Sequence, residues 1–162
     1  MTHPSYAEAS SLPLVHEQTV PAEFIDQNGH MNIVHFFSLG SHGAWRRLQD
    51  LGMGEDYIER RGSSFFTVAH HIDYLSELRE GQRLTVHSGV VERNDKAARS
   101  LALVLDPEHE RLACALEVKV VHVSMETRRA STIPDDIAAA LDTDVADHPW
   151  LVTHATGLTL AR

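Results

Sequence analysis

An acid, a glycine, a histidine and an asparagine crowd into seven residues, Asp26-Gln27-Asn28-Gly29-His30-Met31-Asn32, between a strand-like segment and the one long helical pattern of the chain. A carboxylate three residues ahead of a Gly-His turn that opens a helix stands beside the positive, donor-rich helix N-terminus. It can serve there as an acid or nucleophile, at a place suited to bind a developing oxyanion. A second account fits the same residues: a strand-to-helix turn in which Asn32 is the N-cap and nothing reacts. The seven residues alone leave both open.

Other chemistry is harder to draw from the composition. Twelve histidines in 162 residues invite a metal site, but none falls in a His-Glu-x-x-His pattern. His70 and His71 are adjacent in a strand-like run and point to opposite faces. The single cysteine, Cys114, supplies neither a zinc module's thiolates nor a disulfide framework, and within the strand-like Leu112 to Ser124 it reads as buried filler. No metal site is expected. A formal net charge of -9 argues against a general nucleic-acid binder. No apolar run reaches membrane-spanning length, and Met1 to Leu12 lacks the pattern of a signal peptide. The expectation is a soluble, cytoplasmic protein without nucleic-acid or membrane partners.

The elements that must position the Asp26 turn follow from periodicity. Length and a hydrophobic content of 43% suit one domain. Leu14 to Phe24 reads as a first strand, interrupted near Pro21. From Asn32 to Leu51, Ile33, Phe37, Gly40, Ala44, Leu48 and Leu51 recur at steps of three and four, one face of a helix that stops at Gly52. Gly40 and Gly43 inside it suggest the close approach of a backbone or a ligand, or burial that tolerates them. After a short helical link at 55–60 the period changes to two. Phe66, Val68, His70, Ile72 and Tyr74 alternate along one strand, Leu84 to Val90 forms another, and Asn94-Asp95-Lys96 turns into a strand carrying Leu101, Leu103 and Leu105. Leu112 to Ser124 is the last long strand, and Asp135 to Leu141 a short helix behind Pro134. Residues 1–13 are expected to be a flexible segment, 14–141 a single domain, and 142–162 a tail that could be strand, docking segment or disorder. Short links favour antiparallel neighbours, hence an α+β sheet with one central helix.

This order and its motifs resemble the hotdog-fold acyl-CoA thioesterases of the 4-hydroxybenzoyl-CoA thioesterase type. The resemblance rests on Asp26-x-x-Gly29-His30-Met31-Asn32, Leu51-Gly52, His71-Ile72-Asp73-Tyr74-Leu75, Glu80-Gly81 and Pro134-Asp135, and covers roughly Val15 to Leu141. Within the family the chain looks like the carnitine-pathway thioesterases proposed to act on betainyl-CoA. The resemblance implies a hotdog fold, an antiparallel sheet of five or more strands wrapped around the long helix. It also implies hydrolysis of a small or medium acyl-CoA, with coenzyme A entering as part of the substrate and no other cofactor. Asp26 would be nucleophile or general base, the Ile33 backbone amide an oxyanion donor, and Gly29 the residue that admits the substrate. His30 or Asn32 would hold Asp26 or a water, or serve only the turn and its cap.

In similar enzymes the turn 93–99 meets CoA, which makes Lys96 and Arg99 candidates for its phosphates; a solvated basic turn explains them too. Phe65, Phe66 and Tyr74 could line the acyl pocket or belong to ordinary core. One departure stands out: Ala69 falls near a position where relatives often carry a carboxylate, and His70 or His71 could replace that acid as a base. Two other functions fit the fold, a hydratase or dehydratase acting on enoyl-CoA and a non-catalytic acyl-CoA sensor. The resemblance further implies a homodimer or homotetramer with active sites between subunits.

Overall fold

The computed structural model describes residues 3–155 and 157–160. Its centre is α2 (Ile33–Asp50), capped by Asn32 and laid across a five-stranded sheet. The strands are β1 (Leu14–Thr19), β2 (Ser63–Tyr74), β3 (Arg83–Arg93), β4 (Ala97–Asp106) and β5 (Arg111–Ser124), in the order β1-β3-β4-β5-β2 with every pair antiparallel. This is the hotdog fold expected from the sequence. Leu14 to Phe24 is not one strand: β1 ends at Thr19, and beyond Pro21 a 3-10 turn (Ala22–Phe24) leads into the Asp26 junction.

The two helix glycines set how closely α2 lies on the sheet. A Cβ on Gly40 would sit 2.8 Å from Leu116 Cδ2 of β5, and one on Gly43 2.6 Å from Val86 Cγ1 of β3. The buried stripe of α2 is Phe36, Leu39, Gly40, Gly43, Ala44 and Leu48. Ile33 and Phe37, expected on that stripe, are 57% and 41% exposed instead. They border a seam between α2 and β2.

A β-bulge at Val68 breaks the simple alternation of β2, since Thr67 pairs with Val120 and Ala69 with Lys119. Phe65 and Thr67 face α2 before the bulge, and His70, Ile72 and Tyr74 after it. The sequence pattern placed Phe66 and Val68 with that second group; the extra residue puts them on the other side.

The outer face of the sheet is covered by the chain's own ends. The expectation of a flexible segment at 1–13 fails for Tyr6–Ser11, which form α1. Ser5 and Glu8 close a capping box there, and Ala9 and Leu12 are buried against Leu103 and Leu105. At the other end α3 (Tyr57–Arg61) precedes β2, and α4 runs Asp135–Asp147, past the expected stop at Leu141. The buried Asp144 carboxylate, paired with Arg47, accepts the Val90 amide at 2.7 Å. It thereby satisfies β3 where β1 no longer reaches. The segment after Trp150 is a short helix, α5 (Leu151–His154), and residues 157–160 lie along the outer face.

Candidate active site

The Asp26 junction is built by backbone bonds. Gly29 N–H donates to Asp26 O (3.0 Å) and Asp26 N–H to His30 O (3.1 Å), closing a tight turn. An acid at the first position and glycine at the fourth suit such a turn, and Gly29 has φ +80. Asn32 N–H donates to Phe24 O (2.9 Å) and Met31 N–H to Leu78 O (2.7 Å), which lash the turn to its neighbours.

Side chains then fix the acid. Asp26 Oδ1 accepts from Asn28 N–H at 2.8 Å, and Oδ2 from Asn32 Nδ2 at 3.1 Å. Asn32 Oδ1 accepts from Val34 N–H at 3.0 Å. One residue therefore does both things that the sequence left as alternatives: Asn32 caps α2 and holds the half-buried carboxylate at its mouth. With Val34 N–H capped, the Ile33 amide is the first helix donor without a protein acceptor among the described residues. A carboxylate steadied by two donors beside a free helix-start N–H can deliver a base or nucleophile to a carbonyl whose oxygen rests on that amide.

His30 does not touch the Asp26 side chain. Its Nε2 lies 3.8 Å from Glu77 Oε1, and its Nδ1 is 3.4 Å from Met31 O. With Ile33, Phe36, Tyr74 and Leu75 it lines a cavity of about 230 Å3 against the start of α2.

The remaining predicted site residues scatter. Phe65 is core, packed edge-on against the His122 ring, whereas Phe66 faces outward under the Arg128 guanidinium. His71 also faces outward, its Nε2 3.3 Å from Asp73 Oδ2 and its ring against Gly157. The histidine that faces α2 is His70, in edge contact with Phe37. Its Nε2 is buried without a partner among the described residues, and burial holds its pKa below the ordinary 6.5. Its place in the alternating row with Ile72 and Tyr74, beyond the bulge, puts it on that face. Ala69 lies opposite Lys119, on the outer face.

Arg99 requires a correction. It is 4% exposed, forms an ion pair with Glu117, donates to Glu92 Oε1 at 2.7 Å, and also donates to the carbonyls of Ala155 and Leu158. A guanidinium so occupied is turned away from any CoA phosphate. Lys96 remains on the exposed β3–β4 turn, and Lys119 joins it in lining a surface depression of about 530 Å3 that also meets Val68 and Asp95. Lys119 was not singled out in the sequence; only its outward register on β5 reveals the pairing. Cys114 is buried in the core with its thiol pushed up to about 12, by burial first and then by the charge of Asp73, so it stays protonated and unreactive. At the β4–β5 turn Asp106, Glu108 and His109 bring possible ligand atoms within 4.8 Å of one another. Asp106 is already engaged by Arg111 and His109 at 2.9 and 2.8 Å, which reads as a turn brace.

A five-stranded antiparallel sheet laid on one long helix, with an acid held at that helix's N-terminus, defines the hotdog thioesterase class. The chain belongs to the Thioesterase-like superfamily, whose family profile matches residues 20–141. Among curated proteins it is 30% identical over 128 residues to the L-carnitine dehydrogenase/betainyl-CoA thioesterase of Agrobacterium fabrum. That match covers 79% of this chain and 26% of the relative, so the chain spans about a quarter of that protein's length. The betainyl-CoA thioesterase of Pseudomonas aeruginosa is 25% identical over 134 residues, covering 82% of this chain and 84% of its own. Among solved structures, hypothetical protein SAV2348 of Staphylococcus aureus, in complex with CoA, superposes with a TM-score of 0.73 at 26% identity, covering 93% of this chain and 91% of that one. The 1,4-dihydroxy-2-naphthoyl-CoA thioesterase Slr0204 of Synechocystis reaches a TM-score of 0.68 at 17% identity, over 78% and 93%, a likeness of fold alone. No helix among the described residues is long and apolar enough to cross a membrane.

Proposed function

We propose that the chain is an acyl-CoA thioesterase that hydrolyses a small or medium acyl-CoA to free acid and CoA. The observation that carries this reading is the Asp26 carboxylate, held by Asn28 and Asn32 beside the Ile33 amide, which has no acceptor among the described residues. In the general-base form Asp26 takes a proton from water as the oxygen attacks the thioester carbon. The carbonyl oxygen gains charge against Ile33 N–H, and collapse breaks the C–S bond to release the CoA thiolate, which takes up the proton. In the nucleophilic form Asp26 attacks the carbon itself, expelling the thiolate and leaving an anhydride that water cleaves.

Names of relatives such as those from Agrobacterium and Pseudomonas make betainyl-CoA one substrate to test. We place the enzyme in the cytoplasm as a homodimer or homotetramer, with no cofactor beyond the CoA carried by its substrate. The exposed edge strand β2, with Phe66 and Val68 on its surface, suits pairing with a second copy.

The test is thiol release from betainyl-, acetyl-, hexanoyl-, aryl- and crotonyl-CoA, with enoyl absorbance followed in parallel. Free thiol is expected; loss of enoyl absorbance without thiol would instead make the protein a hydratase, and binding without turnover a sensor. Lys96→Ala is expected to raise the Michaelis constant for CoA esters and not for pantetheine thioesters. An equal rise for both would remove Lys96 from phosphate binding.

A further inference from the structure

A second cavity, of about 200 Å3, lies farther along α2. Its buried wall includes Ser100, Val118 and Val120, and its mouth, at Ser41, His42, Trp45 and Thr67, opens on the α2–β2 seam. Ser100 is 2% exposed, faces α2, and its hydroxyl has no hydrogen-bond partner among the described residues. A buried hydroxyl left this way calls for an explanation, since alanine would fill the position without a polar atom to satisfy.

His70 belongs to the same construction. Ser100 pairs with Val118, and Val118 with His70, so the three stand in one row across the sheet on the face toward α2. Ser100 and His70 are two strand spacings apart, about 10 Å. The Nε2 of His70 is likewise buried and has no partner among the described residues. His70 meets Phe37 across the α2–β2 seam, at positions that fall along both elements between the residues lining the cavity at the start of α2 and those lining this one. From Ile33 to Ser41 the helix rises about 12 Å. An extended chain advances about 1.2 Å per bond, so roughly eight to ten bonds span that path.

The geometry points to an acyl channel along this seam that ends on the Ser100 hydroxyl, built for a medium-chain acyl thioester bearing a hydroxyl or carbonyl oxygen near its far end. The inference rests on the thioesterase reading, which puts the thioester at Asp26. A compact acyl group would not reach Ser100, and a plain alkyl end would leave that hydroxyl unpaired.

The experiment compares kcat/KM for octanoyl-CoA and ω-hydroxyoctanoyl-CoA. The wild-type protein is expected to favour the hydroxylated ester about tenfold, the scale of one buried hydrogen bond, and Ser100→Ala to bring the ratio near one. Equal rates in the wild type, or a preference that survives in Ser100→Ala, overturn the proposal. Ser41→Phe, at the partly exposed mouth, provides a second variant and is expected to lower the octanoyl-to-acetyl ratio about tenfold; an unchanged ratio overturns the channel. If no ester releases thiol, the thioesterase reading fails instead. The pocket is then judged by calorimetric binding of ω-hydroxyoctanoate against octanoate, with equal affinity counting against it.

Discussion

Replacing Asp26 by asparagine separates the chemistry of the junction from its architecture. The new side chain keeps an oxygen for Asn28 N–H but turns an NH2 group toward the NH2 of Asn32, where a carboxylate oxygen had accepted at 3.1 Å. Asn32 cannot rotate to relieve this without releasing Val34 N–H, which its Oδ1 caps. A hydrogen bond to a charged group contributes about 1.5–3 kcal/mol, and half-burial reduces that to about 1–2 kcal/mol here. For a chain of this size the melting temperature should fall by about 2–8 °C. Turnover should fall about 10²-fold or more if Asp26 handles the proton or attacks the carbonyl. Asn32→Ala loses the same bond and also the cap, worth about 1 kcal/mol. The two changes should therefore be coupled, the double variant being less destabilised than the sum by about 1 kcal/mol. The assays are calorimetric melting and thiol release on the three variants. A folded Asp26→Asn protein with near-normal turnover would take Asp26 out of the mechanism, and additive melting shifts would refute the bridging role of Asn32.

Other perturbations test the scaffold. Arg99→Ala leaves the buried Glu117 carboxylate without its cation, held only by the Gly157 and Leu158 amides, and should cost about 3–5 kcal/mol in denaturant unfolding while leaving CoA-ester Michaelis constants unmoved; a selective rise in those constants with intact stability would restore Arg99 to the CoA site. Gly43→Ala gains about 1 kcal/mol of helix propensity but drives a methyl to 2.6 Å from Val86 Cγ1. With overpacking costing about 1–3 kcal/mol, a net loss is expected, and a raised melting temperature would contradict the close packing of α2 on β3. Burial lowers the pKa of His122, bonded to the Tyr57 hydroxyl at 3.0 Å, and that of His70. Below about pH 6.5 the unfolded chain therefore binds more protons than the folded one, so stability is full above that pH and falls on acidification toward the depressed folded values. Urea midpoints measured between pH 7.5 and 5.5 should drop, and less so in His122→Gln; a flat profile would refute the assignment.

What the sequence revealed depended on whether a local pattern carried the information. The Asp26 turn, the reach of α2 and the strands were legible because glycine, asparagine and residue period act over a few positions. The face of β2 was not, because a bulge at Val68 is one unpaired residue whose cause lies in the register with β5. Phe66 and Val68 were therefore assigned to the face of His70, Ile72 and Tyr74, and the choice between His70 and His71 stayed open. Arg99 looked like a surface cation because its partners, Glu117 and the carbonyls of Ala155 and Leu158, are 18 to 59 residues away. Ile33 and Phe37 matched the helical period of the core, yet α2 is rotated so that Phe36 and Leu39 are buried instead.

The Arg99–Glu117 pair also sets an order of events during synthesis. Gly157 and Leu158 amides complete the coordination of the Glu117 carboxylate, and they follow it by 40 and 41 residues. At about 5–20 residues per second the ribosome takes roughly 2–8 s to make that stretch. For that interval, and until the segment clears the exit tunnel, a nascent chain that has already paired β4 with β5 carries two ionised groups on a sheet face still open to water. Closing that face is thus a late step, and a stall downstream of Glu117 would hold the chain in a state whose outer face chaperones and proteases can reach.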